Sequence, residues 1–157
     1  MEHRERICAY YSHGPHFRRV LKQLRDTHPE AKLTAMVPPR YPTDAVAELA
    51  DQIAVTAKDQ YRATDLSGNW ALVKQIRSGG YDRFVVMFES PKLGLLSLLA
   101  GAKSRNACTI DGRYGPMRLS LLSLLADTIH RRIRGWTTYL YIRHIVHHRP
   151  VQRDNEK

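Results

Sequence analysis

The chain has 157 residues, of which 43% are hydrophobic, so it is long enough for one domain with a single buried core. It carries 25 lysines and arginines against 15 aspartates and glutamates, and no apolar run approaches the ~20 residues of a membrane span. The sequence therefore predicts that the chain does not span a membrane. The N-terminus lacks the pattern of a signal peptide, and we expect a cytoplasmic protein with buried free thiols at Cys8 and Cys108.

Short apolar runs alternate with amphipathic segments through the first two thirds of the chain. We predict strands at Ile7–Ser12, Lys32–Val37, Gln52–Val55, Arg83–Phe88 and Asn106–Ile110. We predict helices over Phe17–Thr27, from a Thr43-Asp44 cap to Leu49, over Asp65–Arg77 and over Leu93–Ala102. This alternation is typical of an α/β fold with a Rossmann-like doubly wound parallel sheet, here of about five strands.

Two further segments complete the prediction for this part of the chain. The spacing of Leu66, Trp70, Val73 and Ile76 predicts the buried stripe of the third helix. Residues Asp111–Pro116 contain two glycines and a proline, and we interpret them as an irregular loop. The α/β domain is expected to cover residues 1–116.

Positive charge is concentrated in the C-terminal part, where residues 113–157 hold 9 lysines and arginines against 3 acidic residues. Leu119, Leu122, Ala126, Ile129 and Ile133 recur at helical spacing, and aromatic residues follow from Trp136. We therefore predict a basic amphipathic helical extension with a polar tail over residues 117–157. The pattern leaves open whether the extension is one helix or two.

The extension has two interpretations. Residues Met117–Ile133 suit packing against the sheet or a further domain. Trp136–Arg149 suit such packing and contact with a membrane interface or a protein partner equally well. The residues predicted to make that contact are Arg131, Arg132, Arg134, Trp136, Tyr139, Tyr141, Arg143 and Arg149. A basic face of this kind indicates an anionic or acidic partner but does not identify it, and a solvated face without a partner is the alternative.

Candidate ligand contacts lie in the loops after the first and fourth strands, where doubly wound sheets bind their ligands. These residues are His13, Gly14 and His16 after the first strand, and Glu89 and Ser90 after the fourth. The alternative is a surface loop with incidental histidines, because no glycine-rich phosphate fingerprint is present. We predict no cofactor.

His144, His147 and His148 have the spacing of metal ligands on a helix, but no carboxylate or cysteine lies nearby in the sequence. We therefore interpret them as a basic helix end and predict no metal site. No nucleophile, base and acid occur at a known catalytic spacing, so no catalytic residue is predicted.

Two segments resemble one known family. The first is Leu24-Arg25-Asp26-Thr27-His28-Pro29-Glu30-Ala31 followed by the strand Lys32–Val37. The second is Tyr81-Asp82, the strand Phe84–Phe88 and the segment Ala100-Gly101-Ala102-Lys103-Ser104-Arg105. Over roughly residues 6–112 the chain resembles the N-terminal half of GT-B glycosyltransferases of the heptosyltransferase type, glycosyltransferase family 9. The resemblance implies a Rossmann-like domain with an acceptor-side surface.

The chain departs from that family in two respects. In the family, the loop after the first strand carries Gly-Asp, whose carboxylate is thought to act as the base, whereas here Gly14 is followed by Pro15. Family enzymes also have a second half that binds the sugar nucleotide, for which 157 residues leave no room. The resemblance therefore carries over no catalytic residue.

These observations favour a non-catalytic accessory or structural subunit that docks through its C-terminal helix on a membrane surface or a larger complex. Such a protein would be peripheral at the inner face of the membrane. One alternative is the acceptor-side half of a split glycosyltransferase. A second alternative is a nucleic-acid-binding module, which we rank last because the aromatic residues do not lie on a strand platform.

Overall fold

The computed structural model describes residues 4–11, 16–62, 64–108, 113–117 and 121–148, which form two compact units with a boundary between Leu119 and Ser120. In the first unit the elements are β1 (Arg6–Tyr10), α1 (Phe17–Thr27), β2 (Lys32–Val37), α2 (Asp44–Ala47), β3 (Gln52–Val55), α3 (Leu66–Ser78), β4 (Arg83–Val86), α4 (Pro91–Leu99), β5 (Ser104–Cys108) and β6 (Tyr114–Pro116). The second unit holds α5 (Leu121–His148).

The strands of the first unit form one sheet in the order β3-β2-β1-β4-β5-β6. The first five strands are parallel, and β6 is antiparallel to β5, with Cys108 opposite Tyr114. The predicted α/β class with a Rossmann-like sheet is therefore confirmed. The predicted loop over Asp111–Pro116 is wrong for Tyr114–Pro116, which forms the sixth strand.

The core lies on both faces of the sheet because side chains alternate along each buried strand. On β1, Ile7 and Ala9 belong to one apolar cluster, whereas Cys8 and Tyr10 belong to the other. Strand β4 divides in the same way, with Val85 on the first face and Phe84 and Val86 on the second. A parallel sheet buried on both faces needs such continuous apolar runs.

Helices cover each face with the residues that their spacing predicts. Helix α1 buries Phe17, Val20, Leu21 and Leu24 against the first cluster. Helices α3 and α4 cover the second cluster through Leu72, Ile76 and Leu93. Each large apolar side chain removed from water contributes about 1.5–3 kcal/mol.

The predicted stripe of α3 is correct at its C-terminal end only. Val73 and Ile76 are buried, together with Leu72, whereas Leu66 is 79% exposed and Trp70 is 52% exposed. The large apolar side chains that α3 buries are therefore at positions 72, 73 and 76, and those near its N-terminal end face solvent.

Helix α4 ends earlier than predicted, and β5 begins earlier. Helix α4 stops at Leu99, and Gly101 has a φ of +76°, a left-handed conformation that glycine adopts without a steric penalty. Because the chain turns there, Ser104 and Arg105 pair with β4 instead of continuing the helix. The residues predicted to end the strand, Thr109 and Ile110, lie outside the described residues.

Candidate functional site

The carboxyl end of the sheet is the first candidate site. Strands β1 and β4 are hydrogen-bonded neighbours, with Tyr10 opposite Val86. From β1 the next strands in the chain, β2 and β3, are added on one side, whereas from β4 the next strand, β5, is added on the other side. A doubly wound sheet holds its ligands at such a reversal of strand order. The loops that follow Tyr10 and Val86 are therefore brought to one edge.

The sheet places His16, Glu89 and Ser90 beside that edge. His16 and Glu89 are exposed, whereas Ser90 is half-buried and its Oγ accepts a hydrogen bond from the Leu93 N–H at 3.2 Å. Ser90 thus has a structural task as the N-cap of α4. The predicted contacts His13 and Gly14 lie outside the described residues, so the ligand-binding role of this loop stays a prediction.

An aromatic cluster lies next to the same edge and was not predicted from the sequence. Tyr11, Phe17 and Tyr41 bring their ring centroids within 4.8 to 5.8 Å of one another, in tilted and edge-to-face arrangements. The Tyr11 N–H donates to the Met36 carbonyl at 2.8 Å, which holds the chain against β2 as it leaves β1. The cluster closes this end of the core, because both tyrosines pack against it.

Two tyrosines near this edge, Tyr41 and Tyr10, have raised pKa values. Burial raises the pKa of Tyr41 and Tyr11 adds to that effect, while Arg18 acts in the opposite direction. On the other face, burial is the main cause that raises the pKa of Tyr10 to about 12. A phenol with a raised pKa is a poor general base near neutral pH. Tyr41 and Tyr10 contribute to the packing of the two core clusters.

Charged side chains near this edge are paired with one another. Arg40, in the loop after β2, contacts Asp59 in the loop after β3 through its backbone N–H and its Nε, each at 3.3 Å. Lys58 pairs with Asp65, which also caps α3 by accepting from the Gly68 N–H at 3.0 Å. Within the described part of the chain, no three His, Cys, Asp or Glu side chains are grouped to hold a metal ion.

Helix α5 is the second candidate site. It is one continuous helix of 28 residues, about 42 Å long, which answers the question that the sequence left open. It continues through Gly135, and the hydroxyls of Thr137 and Thr138 each donate to the Arg134 carbonyl at 2.9 Å. These two bonds satisfy the threonine hydroxyls within the helix itself.

Seven large apolar side chains of α5 are solvent-exposed between Ile129 and Ile142. They are Ile129, Ile133, Trp136, Tyr139, Leu140, Tyr141 and Ile142, with exposed fractions from 51% to 68%. Groups of exposed large apolar side chains mark sites of interaction. Ile129 and Ile133 are thus exposed, and their packing against a further domain stays a prediction.

Arginines accompany the aromatic residues on the same helix. Arg132, Arg134 and Arg143 are exposed, whereas the side chain of Arg131 and the whole of Arg149 lie outside the described residues. His144 is also exposed, but the imidazoles of His147 and His148 are not described, so the predicted absence of a metal site stays a prediction. In the described part of the chain, α5 included, no helix combines the length and the apolar character that crossing a bilayer requires.

Comparison with known proteins gave one kind of match. No model of a known protein family matches the sequence, and no curated protein matches it. Among solved structures, the crystal structure of a glycosyl transferase family 9 protein from Veillonella parvula is similar, with a TM-score of 0.48 and 17% sequence identity. The match covers 69% of this chain and 33% of that chain, so this chain spans about a third of that protein's length.

Proposed function

We propose that the protein is an accessory, non-catalytic subunit that docks through α5 on a membrane surface or a larger complex. The observation that carries the proposal is the exposure of Ile133, Trp136, Tyr139 and Leu140 on a helix that also exposes three arginines. Burying side chains of this size contributes about 1.5–3 kcal/mol each, so a partner that covers them would be bound with substantial free energy.

The carboxyl end of the sheet supports the non-catalytic part of the proposal. Of the predicted contacts there, Ser90 caps α4, and the neighbouring tyrosines have raised pKa values. Glu89 is exposed to solvent. The described residues of this edge therefore favour a scaffold over a reaction centre.

Subcellular fractionation of the full chain tests the docking role. We expect the wild-type protein to sediment with membranes or with a large assembly, and the variant Trp136→Ala/Leu140→Ala to move to the supernatant. The matched control is Leu66→Ala/Trp70→Ala, which removes an exposed leucine and tryptophan at the same four-residue spacing from α3. The control should fractionate like the wild type.

Two results would contradict the proposal. In the first, the wild-type protein stays in the supernatant under mild conditions, as the α5 variant does. In the second, the α3 control and the α5 variant lose association equally, which would place docking outside α5. Circular dichroism of each variant confirms that the sheet is intact.

A further inference from the structure

One face of α5 carries four of its exposed large apolar side chains. Ile129, Ile133, Trp136 and Leu140 follow one another at intervals of four, three and four residues, so they lie on a single face of the helix. Their exposed fractions are 57%, 58%, 68% and 51%. We call this face the seam.

A seam with this spacing also suits a coiled coil with a second copy of the chain, and charge decides against that occupant. From Ile129 to Arg143 the sequence contains four arginines and no carboxylate. Two copies packed seam to seam would bring positive charge against positive charge, with no acidic side chain in this region to pair with it. An occupant with negative charge would instead be attracted by these arginines.

The positions of the tyrosines indicate what kind of anionic surface fits. At 3.6 residues per turn, Tyr139 lies about a quarter turn to one side of the seam and Tyr141 about a quarter turn to the other. Both side chains are exposed, and each combines an apolar ring with a polar hydroxyl. Tyrosine and tryptophan with these properties concentrate at the headgroup level of a membrane.

The arginines have the placement that such a surface requires. Arg132 and Arg143 lie beside the seam on the side of Tyr139, where their long side chains can reach phosphates while their methylenes cover apolar surface. Arg134 lies on the part of the helix turned away from the seam, where it faces water.

We propose that α5 lies in the plane of an anionic phospholipid bilayer, with the seam toward the acyl chains and with Arg132 and Arg143 against lipid phosphates. This inference rests on the proposed docking role and names its partner. It requires a helix that lies on the membrane rather than crossing it, in agreement with the hydropathy of the described helices.

Vesicle binding by the purified full-length protein tests the inference. The probes are vesicles of phosphatidylcholine alone and vesicles with about one third phosphatidylserine, a fraction that gives a strongly negative surface potential. We expect binding to the second kind only, weakened at least severalfold when salt is raised from 0.05 to 0.5 M because surface charges are then screened. Arg132→Gln/Arg143→Gln should weaken binding about 10- to 30-fold, and Trp136→Ala/Leu140→Ala should abolish it.

Tryptophan fluorescence reports the face that enters the membrane. The chain has two tryptophans, so Trp70→Phe leaves Trp136 as the reporter and Trp136→Phe leaves Trp70. Phosphatidylserine vesicles should shift the Trp136 emission to the blue and make it sensitive to brominated acyl chains. The Trp70 emission should not change.

The outcomes separate this inference from the proposed function. If the vesicles are not bound, or if Trp70 responds and Trp136 does not, the bilayer is overturned as the partner. Concentration-dependent dimerisation that Trp136→Ala/Leu140→Ala abolishes, without vesicle binding, would make a second copy the occupant. Binding of a nucleic-acid duplex in place of vesicles would make phosphates of that kind the partner. Each of these results leaves docking through α5 to be judged by the fractionation experiment.

Discussion

Asp51 joins three elements of the first unit through one carboxylate. Its Oδ2 accepts from the Leu33 N–H of β2 at 2.7 Å and from the Arg25 guanidinium of α1 at 2.9 Å, and Asp51 itself precedes β3. Burial acts to raise the pKa of Asp51, but the hydrogen bonds from Leu33 and Arg25 outweigh it and hold the pKa below its ordinary value. The charged form is therefore the one that stabilises the fold.

Replacing Asp51 by asparagine should destabilise the protein by about 1–2 kcal/mol at pH 7, because a charged acceptor is lost from two hydrogen bonds. A lowered pKa in the folded state contributes stability above the unfolded pKa of about 3.9, and that contribution is lost as the pH falls through the folded value. The difference between wild type and Asp51→Asn should thus narrow as the pH approaches 3. Urea unfolding at pH 7 and pH 3 measures it.

Asp26 provides the matched control for that experiment. It is an exposed aspartate on α1, one residue after Arg25, and its substitution removes the same charge. Asp26→Asn should change the free energy of unfolding by less than about 0.5 kcal/mol. Equal effects at the two positions would show that the net charge, and not the Asp51 hydrogen bonds, matters.

Two helices of this fold differ in the hydrogen bonding of the residue that precedes them. Ser90 caps α4 through its hydroxyl, whereas Thr43 precedes α2 without a side-chain bond to the helix. Ser90→Ala should therefore cost about 1 kcal/mol, and Thr43→Ala should cost much less. Thermal unfolding of both variants measures the difference. A larger loss for Thr43→Ala would contradict the assigned caps.

Elements with local signals could be predicted from the sequence. Helix α1 has the predicted bounds Phe17–Thr27 and β2 has the predicted bounds Lys32–Val37, because periodicity and flanking prolines are encoded within each segment. Strand β6 has only three residues and owes its structure to pairing with β5, so it leaves no periodic signal.

The candidate sites follow the same rule. Tyr11 and Tyr41 are thirty positions apart in the chain, and no pattern in the sequence predicts that their rings meet. Trp70 has the helical spacing of an apolar stripe in the sequence, yet in the structure its side chain is exposed to solvent. The aromatic and basic character of α5 was predicted because it resides in one continuous segment, whereas its partner is a property of another molecule.

The whole domain controls the chemistry of Cys8. Cys8 is fully buried on β1, between β2 and β4, and burial raises the pKa of its thiol although a hydrogen bond with Tyr81 acts in the opposite direction. Both described cysteines, Cys8 and Cys108, are buried and form no disulfide, as predicted. A thiol in this position can react only when the sheet opens.

Alkylation should report that opening. In a Cys108→Ala variant, iodoacetamide should modify Cys8 about a thousandfold or more slowly than it modifies the unfolded chain, because the open state is rarely populated. Addition of urea should raise the rate along the same curve as the loss of circular dichroism. Rapid alkylation without denaturant would show that the region around β1 opens locally, without unfolding of the sheet.

The position of β1 in the sheet also sets an order of assembly. Strand β1 pairs with β2, its neighbour in the chain, but also with β4, whose residue Arg83 lies opposite Ile7. Closing that long loop is slower than forming the local β1-α1-β2 unit, so β1, β2 and β3 can assemble while β4 is still missing. During synthesis the first half of the sheet would then present an unpaired edge of β1 until β4 emerges. That interval is the period in which a nascent chain is most exposed to wrong pairing, and it ends before α5 is made.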